Sequence, residues 1–168
     1  MHRSALALVA VVSAFAAGPS VIASDRSDAL AAVQKYIRAV NGDSREAYAA
    51  SCADDAVVID HVAPYVFRGP KACLDHWDAV GAFVARNKMV VADYARLGPP
   101  TLVDATRERA YVVSPWTSPA TVAGKAEIEK GVATFVLRRE AKAGWRLASV
   151  TWTSFGFSPV AASSAEVR

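Results

Sequence analysis

The stretch Ala53-Asp54-Asp55-Ala56-Val57-Val58-Ile59-Asp60-His61 combines a turn signal, an apolar run and two ionisable side chains. The paired aspartates predict a turn at the end of a helical pattern, and residues 56–59 predict a buried strand. Asp60 closes this strand, where removing a carboxylate from water costs free energy unless the group is paired or protonated. We expect burial to raise its pKa, which makes Asp60 a candidate general base. The alternative is an ordinary strand end, with Asp60 and His61 both exposed at a rim.

Residues 1–23 have the pattern of a secretory signal peptide. A short basic start precedes an apolar run over residues 4–17, and small or aliphatic residues stand before a cleavage site. The apolar run is shorter than the roughly 20 residues of a transmembrane helix, and an uncleaved anchor is the alternative. We therefore predict a periplasmic or secreted protein, with a folded domain over residues 24–157 and a flexible tail over residues 158–168.

The charge of the chain argues against nucleic acid as a partner. The 168 residues include 19 Lys and Arg and 16 Asp and Glu, which give a formal net charge of +3 at pH 7. The basic residues are dispersed, and no run exceeds the pair Arg138-Arg139. The mean hydropathy of +0.20 includes the apolar run near the start, so it does not predict a membrane protein after signal cleavage.

The chain has two cysteines, Cys52 and Cys73, and the predicted export bears on whether they are oxidised. In an oxidising compartment they can pair as a disulfide, and we expect both on apolar helix faces that pack against the same sheet. The alternative is two small buried thiols, since free cysteine is among the most buried residue types. No Cys-His spacing suggests zinc, so we expect no metal.

Three helices are predicted in the first half of the mature chain. The first covers residues 27–40, where apolar side chains recur at helical spacing and Tyr36 lies at the edge of their stripe. A second, short helix carries Tyr48. The third covers residues 70–87, and His76, beside the centre of its apolar stripe, is expected at the surface.

From residue 88 onward the pattern changes to strands. Runs of apolar and β-branched residues separated by turn signals predict strands at residues 89–97, 101–103, 109–116, 131–139 and 144–154. Helices followed by antiparallel strands predict an α+β fold with the helices on one face of a curved sheet.

Four short motifs carry a resemblance to a known family. They are Ala32-Val33-Gln34-Lys35-Tyr36-Ile37-Arg38-Ala39-Val40-Asn41, Ala53-Asp54-Asp55-Ala56, Phe67-Arg68-Gly69 and Gly144-Trp145-Arg146-Leu147. In this order they resemble a SnoaL-like domain of the nuclear transport factor 2-like superfamily, which includes ketosteroid isomerase. The resemblance covers residues 27–154. It implies a cone-shaped, curved antiparallel sheet that encloses a pocket together with three N-terminal helices.

The resemblance also implies roles for single residues. Tyr36 falls on the oxyanion-hole tyrosine of ketosteroid isomerase, and Asp60 falls on its general-base aspartate. In that enzyme the base aspartate works with a tyrosine and a second, protonated acid. The position of this second acid falls at Ala133, and Thr134 is the nearest polar group. Losing such a donor weakens the stabilisation of an enolate by a few kcal/mol.

A mostly apolar pocket follows from the same resemblance, with His61, Trp116, Trp152 and Thr134 as candidate ligand-binding residues. Adjacent residues of a strand point to opposite faces, so Asp60 and His61 face one cavity only if a bulge intervenes. With His61 inward, a histidine-based dehydratase-like or binding site replaces the isomerase-like one.

These observations predict an exported domain that binds a small hydrophobic molecule, with its activity open and no cofactor. The alternative is a cofactor-free isomerase or lyase that uses Asp60 as general base and Tyr36 as oxyanion donor. A structural or protein-binding module is the third class, and a filled pocket would favour it.

A homodimer is predicted through the outer face of the late strands, as is common in this superfamily. An apolar outer face is usually covered by a partner. The residues on which this prediction rests are Val132, Phe135, Leu137, Leu147, Val150 and Trp152.

Overall fold

The computed structural model describes residues 19–42 and 44–160. Most of the predicted signal peptide and of the predicted flexible tail therefore lies outside the described residues. The first helix begins at Pro19, well before the predicted start at Ser27, and the last strand extends to Pro159. In the part of the chain that the structure describes, no helix is long and apolar enough to span a membrane.

Within residues 19–42 and 44–160, three helices precede most of the sheet, as predicted. They are α1 (Pro19–Asn41), α2 (Arg45–Ala50) and α3 (Ala72–Arg86). The Ser44 hydroxyl caps α2 by accepting a hydrogen bond from the Ala47 N–H at 3.4 Å. Helix α2 ends before Cys52, which is the first residue of a strand and not, as expected, part of a helix face.

Eight strands of the described part of the chain form one sheet. They are β1 (Cys52–Ile59), β2 (Val66–Arg68), β3 (Met89–Val91), β4 (Arg96–Leu97), β5 (Leu102–Ala105), β6 (Arg109–Val122), β7 (Lys125–Glu140) and β8 (Gly144–Pro159). The spatial order is β2-β1-β8-β7-β6-β3, and β4 and β5 also pair with β6. All pairs are antiparallel except β1 with β8, which is parallel. The sheet curls into a half-barrel, which confirms the predicted α+β cone.

The prediction of a turn at Asp54-Asp55 is wrong, because both residues lie within β1. Their side chains are exposed and lie near arginines of β7 and β8: Asp55 is 2.7 Å from Arg138, and Asp54 is 3.6 Å from Arg146. A register shift between Cys52 and Val57 accommodates the pair against β8.

Strand β6 continues to Val122, beyond the predicted strand end at residue 116. Pro115 lies between the residues of β6 that pair with β5 and those that pair with β4, and Pro119 lies between the β4 and β3 pairings. A proline cannot donate a ladder hydrogen bond, so it is tolerated where one neighbouring strand is interrupted. The hairpin to β7 turns instead at Ala123 and Gly124, both with positive φ.

The two faces of β7 differ in burial. Ala133, Phe135 and Leu137 point into the core, where α1 packs against the concave face, whereas Val132 and Thr134 face outward and are partly exposed. Five of the six residues on which the dimer prediction rested are therefore core residues. The five are Phe135, Leu137, Leu147, Val150 and Trp152. Dimerisation itself stays a prediction.

A disulfide joins Cys52 at the start of β1 to Cys73 in the first turn of α3. Their Cα atoms are 6.5 Å apart, within the roughly 7 Å that a disulfide permits. The bond fixes α3 to the strand whose end carries Asp60, so it holds together two elements that build the site.

Candidate functional site

A pocket of about 200 Å³ lies between the concave face of the sheet and helices α1 and α3. Most of its wall is apolar or aromatic. Helix α3 contributes Trp77, Val80, Phe83 and Val84, β3 contributes Met89 and Val91, and the sheet contributes Trp116 and Trp152. Trp116 and Trp152 pack edge to face with ring centroids 5.4 Å apart. The polar groups of the wall are concentrated around Asp60.

One arm of a polar network runs from Asp60 to α1. Asp60 Oδ2 is 2.7 Å from His76 Nε2, and His76 Nδ1 is 2.6 Å from the Tyr48 hydroxyl. The Tyr48 hydroxyl is in turn 3.0 Å from that of Tyr36. All four side chains are buried. An ionised carboxylate can only accept, so His76 Nε2 carries the proton that is donated to Asp60.

The second arm runs from Asp60 to β8. His61 Nδ1 lies 2.9 Å from Asp60 Oδ1, and His61 Nε2 lies 3.2 Å from Glu129 Oε1. The Ser154 hydroxyl donates a short hydrogen bond to the same oxygen of Glu129. Asp60, two histidines, two tyrosines, Glu129 and Ser154 thus form one continuous network along the pocket.

Local backbone structure explains why Asp60 and His61 both reach the pocket. Strand β1 ends at Ile59, so the alternation of a strand no longer applies to the next two residues. The chain turns there: Asp60 Oδ1 accepts the Val62 N–H at 3.0 Å, and the Asp60 N–H donates to the Tyr65 carbonyl at 3.0 Å. The expected choice between the two residues therefore does not arise.

An irregularity in β8 positions Ser154 beside Glu129. The register between β7 and β8 shifts between Glu129 and Gly131, and Gly156 has a φ of 90°. The Gly156 N–H donates to the Ser154 hydroxyl at 3.0 Å, which leaves the hydroxyl proton free for Glu129. Bulges commonly re-aim a side chain in this way next to functional sites.

The pKa of Asp60 is lowered, which contradicts the expectation of a raised value. Burial raises the pKa of this carboxyl, as expected from the sequence. Hydrogen bonds from His61 and His76, the charge of His76 and the Val62 N–H together outweigh burial and lower it. Asp60 is therefore an ionised hydrogen-bond acceptor and a weak base.

The pKa values of the neighbouring groups His61 and Glu129 are shifted in the opposite direction. The pKa of His61 is raised by its hydrogen bond to Asp60, which outweighs burial, and the charge of Glu129 adds to the effect. Burial raises the pKa of Glu129, although Ser154 and His61 act against it. Burial also raises the pKa of Tyr36 and that of Tyr48, so both hydroxyls stay protonated.

Five of the six residues proposed for catalysis or ligand binding line the pocket: Tyr36, Asp60, His61, Trp116 and Trp152. Thr134 does not line the pocket. Its neighbours Ala133 and Phe135 point inward, so strand alternation directs Thr134 to the outer face, and its prediction as a pocket residue is wrong.

Sequence reasoning missed Tyr48, His76 and Glu129. His76 is buried and not at the surface, because it follows Cys73 by three residues and shares the inner face of α3. Glu129 stands two residues before Gly131 and four before Ala133, on the inward positions of β7. Both positions could have been found from helical and strand periodicity. Within residues 19–42 and 44–160, no group of three or more His, Cys, Asp or Glu side chains could hold a metal ion.

Several solved structures resemble the chain at low sequence identity. An NTF2-like protein of unknown function from Pseudomonas putida KT2440 has a TM-score of 0.57 and 21% identity, over 78% of this chain and 87% of that one. A ketosteroid isomerase-like protein from Erwinia carotovora atroseptica SCRI1043 has a TM-score of 0.61 and 19% identity, over 79% and 97%. Hexachlorocyclohexane dehydrochlorinase LinA-type3 from Novosphingobium barchaimii LL02 has a TM-score of 0.64 and 16% identity, over 83% and 94%.

The chain has the nuclear transport factor 2-like fold. The NTF2-like neighbours agree with the family resemblance found in the sequence motifs. No family model matches the chain, and no curated protein matches it. At these identities the NTF2-like structures establish the fold, and the site has to be argued from its own residues.

Proposed function

We propose that the protein binds a small, partly apolar molecule of about one ring in the pocket beside Asp60. The observation that carries this proposal is an apolar pocket whose wall includes a continuous network of ionisable groups. Its volume of about 200 Å³ is somewhat larger than an engineered cavity of roughly 150 Å³ that holds benzene. A single substituted ring therefore fits this space, and a fused multi-ring molecule such as a steroid exceeds its enclosed part.

The polar network supports a ligand site more than a purely structural core. Two carboxylates and two histidines along an apolar pocket are groups that cost free energy to desolvate. A core built only for stability is filled by apolar side chains, whereas a few convergent polar groups in an apolar concavity are typical of ligand sites. The open pocket also weighs against the third class, the structural module.

The second candidate function is a cofactor-free isomerase or lyase. Its support is the presence of acid and base groups with oppositely shifted pKa values on one wall: a lowered pKa for Asp60 and raised values for His61 and Glu129. Such a set can remove a proton from carbon and return it elsewhere, or remove it while a neighbouring group leaves. Tyr36 remains a protonated donor for a developing oxyanion, although its hydroxyl also contacts that of Tyr48.

A pair of variants on one strand tests the binding proposal. Val91 of β3 lines the pocket, and its neighbour Val90 is 69% exposed on the opposite side. Val91→Trp should fill the pocket, and Val90→Trp serves as the matched control. Thermal melts are recorded with a panel of one-ring alcohols, phenols and ketones. A ligand at 100 times its Kd stabilises the folded state by about 2.7 kcal/mol.

We expect ligands to raise the Tm of the wild type and of Val90→Trp, but not that of Val91→Trp. Equal shifts in all three proteins would contradict binding in this pocket. For the second candidate, exchange of the α-hydrogens of cyclohexanone in D₂O is followed by proton NMR. Wild-type protein should accelerate the exchange, and Val91→Trp should not. If cyclohexanone binds but its exchange is not accelerated, the protein binds ligands without catalysing this reaction.

Export to the periplasm or the medium is proposed together with this function. Support comes from the apolar segment within residues 1–23 and from the Cys52–Cys73 disulfide, which is compatible with an oxidising compartment. Fractionation of cells that express the whole chain tests this. Recovery from the cytoplasm with the first 23 residues intact would contradict it.

A further inference from the structure

The hydrogen bonds of Asp60 leave it little capacity to receive a ligand. Its Oδ1 atom accepts the Val62 N–H at 3.0 Å and lies 2.9 Å from His61 Nδ1. Its Oδ2 atom lies 2.7 Å from His76 Nε2. Both oxygens are therefore engaged, and the carboxylate holds the two imidazole rings in fixed orientations. The residue that the sequence suggested as general base has the bonding pattern of a positioning residue.

Glu129 differs from Asp60 in this respect. Ser154 and His61 both lie against its Oε1 atom, the second of them at 3.2 Å. Its Oε2 atom receives no hydrogen bond from any residue that the structure describes, although the side chain is only 8% exposed and lines the pocket. This oxygen is not one of the fully buried side-chain atoms that lack a partner, so it is accessible from the pocket, and its set of hydrogen bonds is incomplete. A ligand that supplies a donor would complete it.

Aromatic walls flank this oxygen acceptor. Trp116 pairs in register with Gly131, two residues after Glu129, and Trp152 pairs with Ala133 on the other side of β7. All of these positions are on the buried, inward face. A ring packed against the two indoles would place a substituent near Glu129. Besides tyrosines, the other ionisable side chains that line the pocket are Asp60, His61 and His76.

We infer that Glu129 is the ligand-contacting carboxylate, that its Oε2 atom accepts a hydrogen bond from a hydroxyl or other donor on the ligand ring, and that Asp60 positions the two histidines. The preferred ligand class is thus a one-ring molecule with a hydrogen-bond donor. This inference rests on the proposed ligand-binding function. It reverses the roles that the family resemblance assigns, because Glu129 takes the place of Asp60 at the ligand.

Phenol and toluene are suitable probes, because a hydroxyl and a methyl group have similar size and only the hydroxyl donates a hydrogen bond. Dissociation constants for both are measured by calorimetry or by quenching of tryptophan fluorescence. The proteins are the wild type, Glu129→Gln, Asp60→Asn and Glu127→Gln. Glu127 lies two residues earlier on β7 and does not line the pocket, so Glu127→Gln is the matched control.

We expect the wild type to bind phenol at least as tightly as toluene. Glu129→Gln should move the ratio of the two dissociation constants toward toluene by about tenfold or more, since a hydrogen bond to an ion is lost. Glu127→Gln should leave the ratio unchanged. Asp60→Asn should change it less than Glu129→Gln does, even where it weakens binding of both probes by loosening the site.

The inference is overturned if Glu129→Gln leaves the ratio unchanged, or if Asp60→Asn shifts it more. Failure of the wild type to bind either probe would instead refute the proposed function, and this inference with it. Thermal melts establish that each variant is folded. Should Glu129→Gln not fold, Glu129→Asp retains the charge and withdraws the carboxylate, and it should shift the ratio in the same direction by a smaller factor.

Discussion

The substitution Asp60→Asn provides a direct test of the polar network. The Asp60 side chain is 7% exposed and interacts with two imidazole rings and one backbone N–H. The variant replaces an oxygen acceptor that faces His76 or His61 with an N–H₂ donor and removes a buried charge. Breaking a buried ion pair by changing one partner costs about 3–5 kcal/mol. We take about 3 kcal/mol at pH 7, because the amide oxygen of Asn can keep one of the contacts.

The pH dependence of this loss follows from the shifted pKa values. Because the folded-state pKa of Asp60 is lowered, its stabilising contribution is present above the unfolded value of about 3.9 and disappears as the pH falls through the folded value. The pKa of His61 is raised, chiefly by Asp60, so that contribution is present below about pH 6.5 and disappears as the pH rises through the folded value. The difference between wild type and variant should be largest near about pH 5.5, between these two limits.

Urea unfolding at about pH 3, 5.5, 7 and 9 measures the free energy of unfolding of both proteins. In a thermal melt at pH 7, the Tm of Asp60→Asn should be lower than that of the wild type by roughly 6–12 °C. This range follows from a loss of about 3 kcal/mol and a shift of about 2–4 °C per kcal/mol for a domain of this size. Asp54→Asn is the control, because that side chain is 88% exposed and should change stability by no more than about 0.5 kcal/mol. A variant as stable as the wild type at every pH would refute this account.

Four further predictions concern the framework around the site. Gly131→Ala should destabilise the fold by about 3 kcal/mol in a thermal melt, since an added Cβ would lie too close to the Thr153 carbonyl. Replacing both Cys52 and Cys73 by serine should cost about 3 kcal/mol in urea unfolding, and the native protein should show no titratable thiol. Thr134→Ala should leave the phenol and toluene dissociation constants unchanged, because Thr134 faces away from the pocket. Light scattering at micromolar concentration should give the mass of a dimer, and a monomer mass would contradict the predicted association.

Hydrophobic periodicity was sufficient to predict the three helices and the α+β class. The stripe that includes Val33 and Ile37 does form the buried face of α1. Boundaries were less accurate where tertiary contacts decide them. Strand β6 passes through Pro115 and Pro119 because neighbouring strands are interrupted there, and a local turn signal carries no information about those neighbours.

The site could be predicted in part. The sequence placed Tyr36 and Asp60 in one pocket, but it could not show that His76 donates to Asp60, since the two residues are 16 positions apart and His76 lies on α3. The direction of the Asp60 pKa was wrong for the same reason. Burial can be guessed from an apolar run, whereas hydrogen-bond partners from other elements depend on the assembled fold.

The position of β8 in the sheet bears on when the pocket can form during synthesis. Strand β1 lies between β2, a strand of three residues, and β8, the last strand along the described residues. Until residues 144–159 have emerged, β1 has no long neighbour, Trp152 is missing from the pocket and Glu129 has no Ser154. Pairings between distant parts of a chain form late, because a large loop must close first. The pocket therefore cannot be completed before residues 144–159 are available, and the apolar faces of β1 and α3 stay partly uncovered until then.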